Sequence, residues 1–509
     1  MSDSSSFGLY ADEHNRKLLE NVHPTSWLNP EPQKRYHLVV IGAGTAGLVC
    51  AAGAAGLGAR VALIERHLMG GDCLNVGCVP SKAMLRAARA WHAVNKGQQR
   101  FAAATHVGAG DFAQVMERVR QLRTQISRND GAPRFRELGV DVFLGDGHFV
   151  GPDAIEVAGQ RLSFRRAVIA TGGRPAVPPI PGLSSAGHLT NESVFNLTEL
   201  PRRLAIIGAG PIGCELAQAF ARFGVHVALF DSGNQILHRE PSDAAAIVQA
   251  SLALDGVRLE LGARIVEVAP RGRDGRDKVL RFEKNGQSDE FVANEILVAA
   301  GRKPNIEAVG LEAAGVHYTV DGVTVDDRLR TSNPKVYAAG DVCSTLHFTH
   351  NSDAQARIVL ANALFPGRSK ASALTIPWCT FTSPEVGHVG ITEAEASRRG
   401  AAVETLTVPL HDVDRAVLDG EDDGFLRLYL KKGSDRILGA TLVAEHAGDM
   451  MGALCLAVTN GIGLEKIAAT VHPYPTQGEA LKKAADQWRR RKLTPSAKRL
   501  LRFWFWMTK

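Results

Sequence analysis

Two stretches of the chain repeat the same order of a buried strand, a glycine turn, a helix and a second strand. The first stretch, HLVVIGAGTAGLVCAAGAAGLGARVALIE, predicts strands at 38–41 and 61–65, and the second reads RLAIIGAGPIGCELAQAFARFGVHVALFD. One glycine of G-x-G-x-x-G permits the turn, one lets a pyrophosphate approach the backbone, and one lets the helix pack on the strand. The glycines are Gly42, Gly44 and Gly47 in the first repeat and Gly208, Gly210 and Gly213 in the second.

An acidic residue ends the second strand of each repeat. Glu65 and Asp231 stand where a carboxylate accepts the ribose hydroxyls of a dinucleotide. Two such units in one chain predict two bound dinucleotides, one in each domain. Asp231 would repel a 2′-phosphate, and Arg239 is eight residues further on. The sequence therefore favours NADH over NADPH at the second unit and leaves both open.

The composition fits a globular protein of several domains. The 509 residues are 45% hydrophobic and 22% charged, and they include no run of about 18 apolar residues of the kind that spans a membrane. Seven cysteines, odd in number and mostly without pattern, exclude an extracellular disulfide framework. The N-terminus lacks the basic-then-apolar pattern of a secretory signal, so the expected compartment is the cytoplasm.

The excess of positive charge belongs to one segment. Eight of the 59 Lys and Arg residues lie at 488–509, which has no acid, and the rest of the chain carries 51 against 53 Asp and Glu. This distribution argues against nucleic-acid binding. Helical spacing from Pro495 aligns Leu500 and Trp504 on one face, with Arg502 elsewhere. Such a segment fits an anionic surface at the inner face of a membrane, and contact with a protein or with the chain's own dimer is the alternative.

The sequence GGDCLNVGCVPSK at 70–82 places Cys73 and Cys78 five positions apart. In a regular helix their Cα atoms would be roughly 8.6 Å apart, whereas a disulfide needs about 4.4–6.8 Å. They can be joined only if the backbone leaves helical geometry, which Gly77 permits, and Pro80 then suits the first turn of a new helix. A thiolate near that helix start would be stabilised by the helix dipole. The other interpretation is two free cysteines in a loop.

GGxCxNxGCxPSK resembles the redox-active signature of the pyridine nucleotide-disulfide oxidoreductases, which include dihydrolipoamide dehydrogenase, glutathione reductase and mercuric reductase. Further segments resemble the family in the same order, over roughly 36–487. They are ATGGRP (170–175), LVAAGRKPN (297–305), VYAAGDV (336–342), IPWCTFTSPEVGHVGITEAEA (376–396) and KKGSDRILGATLVAEHAGDMM (431–451).

The resemblance implies an α/β fold class with two Rossmann-like dinucleotide-binding domains plus an α+β C-terminal dimerisation domain. The implied cofactors are FAD and either NADH or NADPH, the implied assembly is a homodimer, and no metal ligand set is expected. The predicted boundaries are an N-terminal extension at 1–35, an FAD-binding domain at 36–175 and 302–371, an NAD(P)-binding domain at 176–301, a dimerisation domain at 372–487, and a basic aromatic tail at 488–509.

The resemblance also implies a role for each matching residue. Electrons would pass from NAD(P)H through FAD to a Cys73–Cys78 disulfide, with Cys78 nearer the flavin and Cys73 as the interchange thiol. Lys82 would lie near the flavin, held by an ion pair with Glu215. Besides the first glycine repeat, Glu65 and Lys82, the implied FAD contacts are Gly71, Gly147, Thr171, Gly172, Asp341 and Thr349. Gly301 joins the second repeat and Asp231 as a contact of NAD(P).

The substrate end departs from most of the family. Dihydrolipoamide dehydrogenase and glutathione reductase carry His-Pro-Thr-x-x-Glu, supplied across the dimer as an acid–base pair. This chain reads YPTQGE, with Tyr474 in the place of the histidine and Glu479 matching the glutamate. Tyrosine titrates near 10 and histidine near 6.5, so Tyr474 is a poor proton shuttle at neutral pH. Efficient turnover of lipoamide or glutathione is therefore not expected.

Tyrosine at this position resembles mercuric reductase. Two parts of mercuric reductase have no match here, the N-terminal CxxC metal-carrying domain and the C-terminal cysteine pair, since the last cysteine is Cys455. The predicted function is an FAD-dependent NAD(P)H oxidoreductase that passes electrons through Cys73 and Cys78 to a small thiol or disulfide or to a soft metal ion. One alternative is dihydrolipoamide dehydrogenase, and another is a flavin-bearing redox sensor or electron-transfer partner.

Overall fold

The computed structural model describes residues 7–101, 110–272 and 277–508. Residues 1–6 of the predicted N-terminal extension and Lys509 of the predicted tail lie outside this range. The helices of the described residues are α1 (Glu13–Val22), α2 (Thr45–Gly56), α3 (Gly71–Asn75), α4 (Cys78–Phe101), α5 (Phe112–Ser127), α6 (Ala132–Glu137), α7 (Leu183–Ala186), α8 (Pro211–Arg222), α9 (Ser242–Leu254), α10 (Thr349–Leu364), α11 (Glu393–Arg398), α12 (Asp414–Asp419), α13 (Ala447–Asn460), α14 (Leu464–Ala469), α15 (Glu479–Arg491) and α16 (Pro495–Met507).

The strands alternate with these helices along most of the chain. They are β1 (Tyr36–Ile41), β2 (Val61–Glu65), β3 (Val140–Leu144), β4 (His148–Gly151), β5 (Ala154–Val157), β6 (Gln160–Ile169), β7 (Gly173–Pro175), β8 (Arg203–Ile207), β9 (His226–Asp231), β10 (Arg258–Leu261), β11 (Arg264–Arg271), β12 (Asp277–Lys284), β13 (Gln287–Ala293), β14 (Glu295–Val298), β15 (Arg302–Pro304), β16 (Tyr318–Thr319), β17 (Gly322–Val323), β18 (Val336–Ala338), β19 (Trp378–Thr380), β20 (Glu385–Gly390), β21 (Val403–Pro409), β22 (Phe425–Lys431) and β23 (Ile437–Ala444).

The chain divides into two compact units. The first runs to Asn234 and resumes from Gly256 to Leu374, and the second joins Gln235–Asp255 to the residues from Thr375 onward. The first unit contains two parallel sheets with glycine turns, and the second contains an antiparallel sheet with helices. The predicted α/β fold class, with two Rossmann-like regions and an α+β dimerisation region, is confirmed. The finer domain boundaries stay a prediction.

The first parallel sheet of unit one has the strand order β3-β2-β1-β6-β18. The hairpin of β4 and β5 continues from β6 in antiparallel pairing. β2 is buried along its whole length, which is typical of a parallel strand covered on both faces. The strands predicted at 38–41 and 61–65 are present, and the first begins two residues earlier, at Tyr36.

The second parallel sheet has the order β10-β9-β8-β14, beside an antiparallel sheet of β11, β12 and β13. Between the two parallel sheets, the outgoing strand β7 pairs antiparallel with the returning strand β15, and Gly173 lies opposite Pro304. β7 and β15 lie in the segments 170–175 and 297–305, the two crossings at which the chain is predicted to leave and re-enter the FAD-binding domain. The two crossings therefore lie side by side.

The glycine turns allow contacts that no other residue permits. Gly42 has a φ of +101°, and a Cβ on Gly47 would lie 1.8 Å from the carbonyl oxygen of Gly42. The second repeat has the same geometry, with Gly208 at a φ of +108° and a distance of 1.9 Å for a Cβ on Gly213. Each helix can therefore approach its preceding turn closely only because glycine has no side chain.

Helix α1, which lies within the predicted N-terminal extension, belongs to the core of unit one. Asp12 caps its start by accepting from the Asn15 N–H at 2.8 Å. Leu18, Leu19 and Val22 are buried in the same hydrophobic cluster as β1. The chain before β1 is therefore part of the folded unit, and α1 packs against α5.

The second unit is built on one antiparallel sheet with the order β19-β20-β23-β22-β21. Its core joins residues of β22 and β23, such as Leu428 and Leu442, to Leu454 of α13 and Ala484 of α15. Helix α16 follows α15 and has no buried residue. No helix of the described residues is long and apolar enough to cross a membrane.

We expect Gly47→Ala to lower the stability of unit one by about 1–3 kcal/mol, the usual effect of forcing an extra carbon into a packed site. The matched control is Gly56→Ala at the other end of α2, where a Cβ would meet nothing within 4 Å. This control is expected to gain up to about 1 kcal/mol from the better helix propensity of alanine. Thermal unfolding of both variants makes the comparison, and equal midpoints would contradict the close approach.

Candidate active site

Cys73 and Cys78 lie on either side of a break between two helices. Helix α3 ends at Asn75, Val76 leaves helical geometry with a φ of −142°, and Cys78 opens α4. The predicted departure from a continuous helix is therefore present. Both cysteines are free thiols in the structure, and the Cys73 side chain is hydrogen-bonded to that of Cys78.

The surroundings of the pair stabilise negative charge on Cys78. The hydrogen bond from Cys73 lowers the pKa of the Cys78 thiol, burial opposes this, and Thr349 and the charge of Lys82 lower the pKa further. Thr349 Oγ1 lies 3.4 Å from the Cys78 sulfur at the start of α10. The same hydrogen bond and burial raise the pKa of Cys73. When the pair holds one proton, that proton therefore resides on Cys73 and the thiolate is Cys78.

Lys82 and Glu215 form an ion pair with 2.8 Å between Nζ and Oε2. The Glu215 side chain is almost completely buried, and it lies on α8 just after Gly213 of the second glycine turn. About two and a half turns further along α4, Trp91 packs edge-on against Phe223, with ring centroids 5.0 Å apart. The helix that carries Cys78 is therefore joined to the helix that follows the second glycine turn by both charge and packing.

The first glycine turn forms a cradle at the start of α2. Gly44 supplies no side-chain cap to the helix, and a Cβ on Gly71 would lie 2.7 Å from the Gly44 Cα. The first N–H groups of a helix have no intrahelical partner and suit phosphate oxygens. Glu65 is buried and accepts from the backbone N–H groups of Ala43 at 2.7 Å and His67 at 2.8 Å. Burial raises the pKa of Glu65 despite these bonds. The residues present therefore fit the pyrophosphate and ribose of a dinucleotide.

The second glycine turn repeats this arrangement. Gly210 precedes α8 without a side-chain cap, and the Asp231 carboxylate accepts from the Ala209 and Gly233 N–H groups, both at 2.7 Å. Gly301 has a φ of +108°, and a Cβ there would meet nothing within 4 Å. This turn also fits a dinucleotide.

The remaining residues expected at FAD lie along the edge of the first sheet. Thr171 donates its hydroxyl to the Asn305 carbonyl at 2.7 Å, and Gly172 has a φ of +68°. A Cβ on Gly147 would lie 2.7 Å from the Ile64 side chain, so the chain passes close to β2 there. Asp341 follows β18, and burial raises its pKa although the charge of Arg302 opposes this.

Arg302 is a functional candidate that the sequence reasoning missed. It forms ion pairs with Asp72, the residue before Cys73, and with Asp341, where Nε lies 3.3 Å from Oδ2. It also donates to the Gly173 carbonyl at 2.8 Å. Arg302 lies in the segment LVAAGRKPN, which indicated a crossing but not this role. One side chain therefore links the thiol loop, the sheet edge and both crossings.

A second missed feature is the buried guanidinium of Arg123, which is 1% exposed. It donates to the backbone carbonyl of Asn75, at the break between the two cysteines, at 2.7 Å, and to the side-chain oxygen of Asn15 in α1. Burial lowers the pKa of Arg123 to about 10, so the group stays charged at neutral pH. The Asn75 amide in turn donates to the carbonyls of Met69 and Gly71 at 3.1 and 2.9 Å. The backbone between the thiols is therefore fixed from two sides.

Tyr474 and Glu479 lie in the second unit. The Tyr474 side chain is 68% exposed, and its hydroxyl donates to Asp414 Oδ2 at 3.0 Å. That hydrogen bond raises the pKa of Tyr474. Glu479 opens α15, with Oε1 3.7 Å from Lys483 Nζ. Tyr474 is therefore an even weaker source of protons at neutral pH than a free tyrosine. Among the described residues, no cluster of three or more His, Cys, Asp or Glu side chains is arranged to hold a metal ion.

Comparison with known proteins agrees with this geometry. Residues 36–356 match the family described as pyridine nucleotide-disulphide oxidoreductase, and residues 376–485 match its dimerisation domain. The chain is 36% identical over 451 residues to a mercuric reductase from Staphylococcus aureus, which covers 88% of this chain and 82% of that protein. It is 32% identical over 455 residues to a dihydrolipoyl dehydrogenase from Geobacillus stearothermophilus, which covers 88% and 95%.

Solved structures give the same result. The HOCl-induced flavoprotein disulfide reductase RclA from Escherichia coli superposes with a TM-score of 0.78 at 28% identity, covering 89% of this chain and 99% of RclA. LpdA from Mycobacterium tuberculosis superposes with a TM-score of 0.80 at 25% identity, covering 90% and 100%.

We expect Cys73→Ala to raise the pKa of the Cys78 thiol, because the thiolate loses its strongest hydrogen bond. As the pH is lowered, the ultraviolet absorbance of the Cys78 thiolate would therefore disappear at a higher pH in the variant than in the parent protein. Thr349→Val is expected to shift the titration in the same direction by a smaller amount. Cys455→Ala, a change in the second unit, serves as the control. An unchanged Cys78 titration in Cys73→Ala would contradict the assignment of Cys73 as the group that stabilises the Cys78 thiolate.

We expect Asn15→Leu to lower the free energy of unfolding by about 1.5–3 kcal/mol, since it leaves a buried charged donor of Arg123 without its acceptor. The matched control is Asn21→Leu in the same helix, because the Asn21 amide donates to the neutral Ser127 hydroxyl rather than meeting a charged group. Thermal unfolding measures both. Equal losses of unfolding free energy in the two variants would contradict a special contribution of the hydrogen bond between Arg123 and Asn15.

Proposed function

Because the chain belongs to the pyridine nucleotide-disulphide oxidoreductase family, we propose that it reduces a soft metal ion at the expense of NADH, with Cys73 and Cys78 as the thiols that bind the ion. Membership of this family makes it a flavoprotein oxidoreductase with a disulfide redox centre, FAD and a pyridine nucleotide as cofactors, and a homodimeric assembly. FAD, when bound, supplies the two-electron chemistry that connects the nicotinamide with the thiols.

The observation that carries the choice of substrate is Tyr474. Exchange between a dithiol and an organic disulfide needs a group that takes up and releases a proton near neutral pH. The Tyr474 hydroxyl donates to Asp414, and its pKa is raised by that bond. A metal ion bound by two sulfurs needs no such shuttle, because it accepts electrons without a proton. The curated relatives named mercuric reductase support the same choice.

The two thiols supply what a soft metal ion needs. Thiolate sulfur favours soft metals, and Cys78 provides the first thiolate because its pKa is lowered. Binding of the ion by both sulfurs releases the proton of Cys73 to solvent. In the overall reaction the divalent ion gains two electrons to become the neutral metal, NADH loses a hydride to become NAD⁺, and one proton is released. Lys82, which is paired with Glu215 at 2.8 Å, helps to lower the pKa of Cys78.

NADH is the proposed electron donor because of Asp231. Its carboxylate ends β9 and is held by two backbone N–H groups of the glycine turn. A carboxylate there accepts the two ribose hydroxyls of NADH and repels the 2′-phosphate of NADPH.

Dihydrolipoamide dehydrogenase activity is the second candidate, favoured by the relatives of that name. In the reductive direction, Cys73 would attack one sulfur of the substrate disulfide and release a thiol. Cys78 would then attack the Cys73 sulfur, release the second thiol and leave the Cys73–Cys78 disulfide. A redox sensor or electron-transfer partner differs from both, because it would show reducible thiols without rapid turnover of a small acceptor.

The experiment measures oxidation of NADH and NADPH by the FAD-loaded dimer with Hg(II), lipoamide and glutathione disulfide as separate acceptors. Hg(II) with NADH is expected to be the fastest combination. Cys73→Ser should abolish that activity and spare reduction of a one-electron dye, which needs no thiol. Fast lipoamide turnover with slow Hg(II) turnover would favour the second candidate, and slow turnover of all three acceptors would favour the sensor.

Tyr474→His tests the physical basis of the choice. If the missing base limits disulfide exchange, the histidine variant should raise lipoamide turnover by about a hundredfold, the usual contribution of a positioned acid–base group. Tyr474→Phe is the matched control, which should give no such gain. Equal lipoamide rates in both variants would remove tyrosine as the reason for substrate choice.

A further inference from the structure

Helix α16 is an exposed apolar helix on the surface of the second unit. None of its residues is buried, and the exposed fractions reach 70% for Leu500, 57% for Trp504 and 71% for Trp506. The helix is nevertheless well defined at its start, where the Thr494 hydroxyl accepts from the Ala497 N–H at 3.2 Å. Large apolar side chains in this number are rarely left in water without a partner.

The segment before α16 is fixed to the body of the second unit. Arg491 forms an ion pair with Glu404 at 2.7 Å, and Lys492 forms one with Glu465 at 3.1 Å. Lys492 also lies over the Trp488 ring at 4.2 Å, and Trp488 packs against the core of the unit. The exposed helix therefore begins three residues after Lys492, the last anchored residue.

The residues of α16 are sorted around its axis. At about 100° per residue, Leu500, Leu501, Phe503, Trp504, Phe505 and Met507 fall on one arc of about 200°. Lys498, Arg499 and Arg502 fall together on the opposite side, where Trp506 also lies. A wide apolar arc beside a narrow basic stripe is the pattern of a helix that lies in the surface plane of a bilayer.

The charges point to an anionic surface. Residues 487–509 contain no Asp or Glu. Among the described residues, Lys498, Arg499 and Arg502 have no carboxylate partner. Lipid phosphates would supply the negative charge that these three bases lack within the chain.

We propose that α16 binds the surface of a membrane that contains anionic lipids. The apolar arc enters the boundary between headgroups and acyl chains, and the three bases lie at the level of the phosphates. The helix spans about 20 Å along its axis, less than the roughly 30 Å of a bilayer core, so it lies on the membrane rather than across it. The flavoprotein is thereby held at the membrane through its second unit.

The test measures partitioning of the full-length, FAD-loaded dimer onto two kinds of vesicle, phosphatidylcholine alone and phosphatidylcholine mixed with phosphatidylglycerol. The mixed vesicles should bind it and shift tryptophan emission to shorter wavelength. The triple variant Lys498→Gln, Arg499→Gln and Arg502→Gln should bind mixed vesicles about 100-fold more weakly, since each base near an anionic surface contributes about fivefold. The control Arg368→Gln, Arg398→Gln and Lys432→Gln removes the same charge from exposed positions elsewhere and should bind like the parent.

A second variant, Leu500→Ser with Trp504→Ser, keeps the charge and removes apolar contact, and it should also lose vesicle binding. All variants should retain NADH oxidation with a dye acceptor, which reports a folded enzyme. The proposal would be overturned if the triple variant that lacks the three bases of α16 bound mixed vesicles as strongly as the parent protein does. A change of oligomeric state in these variants with vesicle binding unaltered would also overturn it, because the helix would then be a contact between protein copies.

Discussion

The short break between α3 and α4 is the feature on which the arrangement of the thiols depends. A continuous helix would hold Cys73 and Cys78 too far apart to share a proton or a bond. The break leaves the Asn75 carbonyl without a helical partner, and Arg123 satisfies it from within the core. Because that guanidinium is buried and donates to both the Asn75 carbonyl and the Asn15 side chain, it has few alternative positions. The first helix of the chain, through Asn15, thus contributes to the geometry of a site more than fifty residues away.

The charge on Cys78 is set by groups from several elements of unit one. Cys73 comes from α3, Lys82 from α4 and Thr349 from α10. Lys82 is itself held by Glu215, which belongs to the helix of the second nucleotide turn. The charge on Cys78 is therefore connected to the helix that follows the second glycine turn. A thiol pair placed on an isolated loop would have no such connection.

The sequence could predict the features that follow from local chemistry. The two glycine turns, their strands, their terminal acids and the broken helix at the cysteines each have a physical cause within about thirty residues, and all are present. Arg123 could not be recognised, because its helix, FAQVMERVRQLRTQIS, has arginines at several positions and only the fold decides which is buried. The bond between Tyr474 and Asp414 joins residues sixty positions apart and leaves no pattern. The residues before β1 looked like an extension because a single amphipathic helix does not reveal what it packs against.

The ties made by Arg302 affect how such a protein can be rearranged. The arginine belongs to the returning crossing, yet it binds an aspartate beside Cys73 and another beyond β18. The region between the two crossings, which is predicted to bind the nicotinamide nucleotide, is a segment that recombination could exchange for one of different cofactor preference. If the exchanged segment included β15, the donor's residue at position 302 would replace Arg302 as the partner of Asp72 in the thiol loop. A successful chimera of this architecture must therefore take Arg302 from the same parent as the thiol loop. The junction then lies before Arg302, between β14 and β15.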